Sequence, residues 1–104
     1  MIQHFIFVKL EPGESREDLA ERLRAGFSEA GVEATVGLPA DAPAAKWDLS
    51  VVIDAASLDA WHAQAQLPAV NELLADLAAR SHVQKRWSFD VGADAEDDYS
   101  DASK

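Results

Sequence analysis

"MIQHFIFVKL", residues 1–10, decides the fold, because its two alternating sides are both apolar and one of them carries a histidine. A strand with one wet face alternates oily and polar residues. Here Ile2, Ile6, Val8 and Leu10 share a side with His4, while Phe5 and Phe7 lie on the other. Something must cover both sides of this strand.

Working outward, "EPG" at 11–13 ends the strand with turn chemistry. Ser15 is placed to cap a helix, with Asp18 three residues on as a short capping box. Leu19, Leu23, Phe27 and Ala30 recur at helical spacing, Arg16, Glu17, Glu21 and Arg24 turn mostly outward, and Gly31 is a natural stop. A short strand follows at about 34–38, then the loop "PADAPAAK". The next strand, "DLSVVIDA", sets Leu49, Val51 and Ile53 against Asp48, Ser50, Val52 and Asp54. Ser57 caps a second helix that carries Leu58 and Trp61 inward, and Pro68 interrupts it and starts another segment with a stripe of Val70, Leu73, Leu74 and Leu77. The last strand, about 83–91, sets Val83, Lys85, Trp87, Phe89 and Val91 against Gln84, Arg86, Ser88 and Asp90.

The order strand, helix, strand, strand, helix, strand predicts an α+β fold: a ferredoxin-like βαββαβ protomer with an antiparallel four-stranded sheet and helices on one face. Phe5, Phe7, Leu49, Val51 and Ile53, taken as one parity of the two central strands, would leave a larger uncovered apolar patch than monomers tolerate. A second copy, sheet against sheet, is the simplest cover, so these five residues are the expected dimer interface.

Composition narrows the function classes. The 104 residues make one domain, read as residues 1–92, followed by an acidic disordered tail at 93–104. No apolar run approaches the roughly 20 residues that span a bilayer, and Lys9 cuts the first run too early for a signal peptide. A cytoplasmic protein without a membrane partner is expected. The absence of cysteine excludes disulfides, thiolate nucleophiles and zinc-thiolate sites. A formal net charge of −10, with Lys85 and Arg86 as the one basic cluster, argues against nucleic acid. Signatures for dinucleotides, nucleoside triphosphates, serine hydrolysis and zinc proteolysis do not occur, and neither a metal site nor a cofactor is expected.

The start "MIQHFIFVKL", the loop into "WDLSVVID", and the helix broken by the proline of "QLPAVNELL" resemble the stress-responsive dimeric α+β barrel family, often abbreviated Dabb. The resemblance covers about residues 1–92 and implies ferredoxin-like protomers paired into a dimeric α/β barrel. Plant polyketide cyclases of that family hold a pocket between sheet and helices, lined by the early strand histidine, and a second histidine in an HPxH stretch does proton-transfer work with a nearby tyrosine. Here that stretch reads Leu67, Pro68, Ala69, Val70; Gln64 stands where the tyrosine would be, and Tyr99 lies in the tail. The cyclase apparatus does not carry over. His4 does, as a residue lining the pocket.

His4 titrates near neutral pH and could act as a base or hydrogen-bond donor. If the first and third strands run parallel side by side, Asp48 comes near enough to orient its ring, which makes His4 and Asp48 the candidate catalytic pair. The expected pocket is small and apolar, lined by His4, Ile6, Leu23, Asp48, Val52, Trp61, Leu67 and Val70, and holds a small organic or aromatic molecule in each subunit of a homodimer. The alternatives are a His4-dependent cyclase-like or isomerase-like enzyme, and a purely structural dimer. His62 with Asp59 reads as solvated surface, and His82 as a ring near a helix C-terminus.

Overall fold

Ile2–Leu10 forms β1, and everything else is arranged around it. The computed structural model describes residues 1–92; the expected acidic tail lies outside the described residues. After β1 come α1 (Arg16–Glu29), β2 (Glu33–Gly37), a 3₁₀ turn at Ala44–Lys46 within the expected loop, β3 (Leu49–Ala55), α2 (Leu58–Gln66), α3 (Pro68–Arg80) and β4 (Ser81–Asp90). The sheet order is β2-β3-β1-β4, and β1 pairs antiparallel with both β3 and β4, as β2 does with β3. This is the ferredoxin-like α+β fold, with three helices on one face.

Local chemistry sets the helix ends. Ser15 Oγ accepts from the Asp18 amide at 3.2 Å and starts α1, and Ser57 Oγ accepts from the Ala60 amide at 3.0 Å and starts α2. Gly31 takes φ +74° just past α1, a left-handed turn that costs glycine little. Pro68 opens α3, and the residue before a proline is barred from helical angles, so Leu67 is extended and splits the two helices. The same geometry turns Leu67 outward, 47% exposed.

The register decides which side chains share a face. His4 lies opposite Ile53, Ile6 opposite Val51 and Val8 opposite Leu49, so even-numbered residues of β1 share the helix-covered face with odd-numbered residues of β3. That face meets Leu19, Leu23 and Phe27 of α1, Trp61 of α2, and Val70 and Leu77 of α3 in one buried core. Each such side chain, fully buried, contributes roughly 1.5–3 kcal/mol. Charged contacts tie the layer together: Asp76 of α3 holds Arg22 of α1 at 3.2 Å and Arg80 at 3.0 Å, and Arg80 reaches Glu14 at 2.9 Å.

The open face carries Phe5 and Phe7 of β1, Ser50, Val52 and Asp54 of β3, and Trp87 and Phe89 of β4. This corrects the expected face of β3. Leu49, Val51 and Ile53 do not lie beside Phe5 and Phe7; they are fully buried under this chain's own helices, because β3 pairs with β1 odd to even. Nor do β1 and β3 run parallel.

Candidate functional site

His4 is the polar residue that the sheet carries into the core, 9% exposed among aliphatic neighbours. Its ring stacks on Trp61 of α2, centroids 4.8 Å apart and planes 28° from parallel. Its Nδ1 shares a 2.7 Å hydrogen bond with Ser88 Oγ. The hydroxyl donates when the imidazole carries its proton on Nε2 and accepts in the other tautomer. The register produces this contact: Ser88 sits directly opposite His4 on the edge strand β4.

Burial lowers the pKa of His4 below its ordinary value, and the positive charges of Arg86 on β4 and His62 on α2 push it the same way. The ring is therefore neutral at pH 7, with one nitrogen able to donate and one to accept. Ser88 also lines an open depression of about 380 Å³ with Met1, Ile2, Ser57, Leu58 and Asp90, at the end of the sheet where β1 starts. His4 is thus linked to a solvent-accessible recess through one hydroxyl.

Asp48 is elsewhere. It lies at the far end of β1, where its Oδ2 accepts from the Leu10 amide at 2.8 Å and its Oδ1 stands 3.7 Å from Arg16 Nη1. Residue 53 is the one opposite His4, five positions along β3, so the carboxylate is roughly 17 Å from the ring along the strand. It cannot orient the imidazole, and the expected catalytic pair is not assembled. Its work is structural: it holds the turn from β1 into α1.

The other expected pocket residues divide into three groups. Trp61 contacts His4. Ile6, Leu23 and Val70 are packed core at 1% exposure or less. Val52 pairs with Phe5 on the opposite face, and Leu67 is exposed between two helices. His62 is exposed, and exposed His82 lies two residues past the C-terminal end of α3, as expected, at the start of β4 and 3.8 Å from Glu11. Among the described residues no group of three or more His, Asp or Glu side chains is arranged to hold a metal ion, and no helix is long and apolar enough to cross a membrane. Ser88 and Arg86 were missed in the sequence. The alternation of β4 puts both on its non-aromatic side, but only the pairing of β4 with β1 brings them to His4.

The open face holds a chain of aromatic contacts. Phe5 meets Phe89 edge-on at 5.6 Å, and Phe7 touches Trp87 at 5.5 Å and Trp47 at 5.9 Å. Trp87 and Phe89 remain 43% and 55% exposed. Large aromatic groups that pack on each other at a surface mark a face that meets a partner more often than one that meets water.

No protein-family model matches the chain, and no curated protein matches it by sequence. Solved structures do match in fold. A dimeric ferredoxin-like protein of unknown function from Thermobifida fusca superposes with a TM-score of 0.72 at 19% identity, over 86% of this chain and 90% of that one. A hydroxynitrile lyase from Passiflora edulis gives 0.71 at 10% identity, over 90% and 95%. An antibiotic biosynthesis monooxygenase gives 0.67 at 9% identity, over 88% and 99%. At such identities the likeness fixes the architecture: the chain has the ferredoxin-like α+β fold found in these dimeric and enzymatic proteins.

Proposed function

We propose that the chain is a homodimeric α/β-barrel domain of the Dabb type that binds a small organic molecule at the His4, Trp61 and Ser88 end of each protomer. The observation that carries the binding site is a neutral, buried imidazole stacked on an indole and joined through Ser88 to an open recess. Burying a polar ring in a core costs free energy unless its nitrogens are satisfied, and Ser88 satisfies one of the two. Ser88 faces both the ring and the recess, so a ligand carbonyl or hydroxyl suits its hydroxyl, and Ile2, Leu58 and Phe89 give the recess apolar walls. The dimer rests on the aromatic open face, on the margin of stability of a domain this small, and on the dimeric ferredoxin-like structure similar to it.

Native mass spectrometry of the purified chain tests both parts. The expected result is a dimer carrying a co-purified small molecule that is lost in His4→Ala while the dimer persists. A ligand retained by His4→Ala would place the site elsewhere, and a monomer at micromolar concentration would overturn the dimer.

One observation favours a second reading, in which His4 moves a proton beside a carbonyl. Its lowered pKa keeps it in the neutral form that a base needs. With Asp48 at the other end of the strand, Ser88 is the group that holds the ring. Binding kept but turnover lost in His4→Ala, once a substrate is in hand, distinguishes this reading from simple binding.

A further inference from the structure

We infer a second small-molecule site, separate from His4: the cavity between the 3₁₀ turn and the ends of β2 and β3 takes a single aromatic ring bearing one hydroxyl, a simple phenol. The cavity measures about 140 Å³, and its walls are Phe7, Leu38, Pro39, Ala44, Trp47 and Leu49. It is partly open to solvent, and its volume is close to the roughly 150 Å³ of an apolar cavity known to hold benzene, so it has the size of one ring. Phe7 and Trp47, their centroids 5.9 Å apart and planes at 44°, give it two aromatic walls, for which a ring edge or face is a better partner than water.

Polarity inside the cavity is confined. Ser50 brings the one side-chain hydroxyl among the lining residues. Gly37, its partner across the β2–β3 ladder, keeps that hydroxyl clear: a Cβ at position 37 would stand 2.8 Å from Ser50 Oγ. A missing Cβ opposite a lone hydroxyl, within apolar walls, leaves room for one hydrogen bond to a ring substituent. A charged ligand is not served, because no charged side chain lines the space. No residue lines both this cavity and the recess at Ser88, so the site stands independently of the His4 site, while Phe7 and Ser50 place it on the open face that the proposed dimer uses.

The test is heteronuclear NMR of the full chain titrated with phenol, and with toluene as the probe lacking the hydroxyl. Saturable shifts at the Trp47 indole N–H and at the Gly37 and Ser50 amides are expected with both. Ser50→Ala should weaken phenol roughly two- to ten-fold and leave toluene unchanged, the effect of one hydrogen bond. Ala44→Leu, at an exposed position, should fill the cavity and abolish both sets of shifts without changing the melting temperature. Shifts confined to other residues, no saturation, or unchanged binding by Ala44→Leu would overturn the site. So would binding that appears only when the dimer is broken by Phe5→Asp, since a partner side chain would then be the natural occupant.

Discussion

The two faces of one sheet each carry an apolar cluster, but the clusters differ in kind. The helix-covered face is aliphatic, with Ile6, Val8, Leu49, Val51 and Ile53 at 1% exposure or less. The open face is aromatic, with Phe5, Phe7, Trp87 and Phe89 packed on one another and the two β4 rings half exposed. Branched aliphatic side chains fill a closed interior to crystal-like density. Flat rings make contact over wide areas with little loss of rotamer freedom, which suits association between molecules. The chain closes the first face by itself and leaves the second open.

Mutations that separate the two faces give the sharpest tests. Val51→Asp places an unpaired charge in the aliphatic core and should cost roughly 3–5 kcal/mol. Against the roughly 5–15 kcal/mol stability of an ordinary domain that is a large loss, which should appear as a sharply lowered denaturation midpoint at every protein concentration. Urea denaturation followed by circular dichroism checks it; an unchanged midpoint would mean that Val51 is not under the helices.

Phe5→Asp makes the same chemical change on the aromatic face and should give a different result. Sedimentation should show a monomer whose circular dichroism is unchanged. Aggregation with loss of secondary structure would mean that Phe5 supports the protomer itself.

Truncations of intermediate size sharpen the contrast. Leu23→Ala should destabilise by about 2–5 kcal/mol by leaving a cavity, equally at every protein concentration. Trp87→Ala should lower the melting temperature in a way that depends on concentration, because its cost falls on association. Thermal melts across a hundred-fold dilution series distinguish the two. A concentration-independent Trp87→Ala would assign this ring to the protomer core.

The smallest effect concerns the polar spot on the aliphatic face. The His4 pKa is lowered on folding, so the unfolded chain binds this proton more readily than the native one. The stability that neutral His4 contributes is complete above the unfolded value of about 6.5 and is lost as pH falls through the lower folded value. The melting temperature of the wild type should therefore drop more between about pH 7.5 and 5 than that of His4→Gln, which carries no titrating ring. Parallel curves would mean that His4 reaches solvent freely in the native state.

Much of this was legible before any coordinates. The capping serines, the break at Pro68 and the two-sided oiliness of β1 each follow from short-range chemistry, and each predicts an element that is present. The face of β3 was not legible. Its own alternation shows that Leu49, Val51 and Ile53 belong together, but nothing local says whether they join the even or the odd residues of β1, and a one-residue slip exchanges the answers. Asp48 is no partner of His4 because β3 runs antiparallel to β1, which carries Asp48 to the far end of the strand, and the contact of Ser88 with His4 spans 84 residues that no local pattern bridges.

The sequence by itself determined which segments are helix and strand, and that the first strand is apolar on both sides, because caps, proline and side-chain period act over a few residues. Only the tertiary structure decided that β1 meets β3 even to odd, that Ser88 rather than Asp48 holds His4, and that the uncovered face is the aromatic one. Register is a long-range property: it is set when the loops close and the aliphatic side chains find the helices, and no single segment contains it.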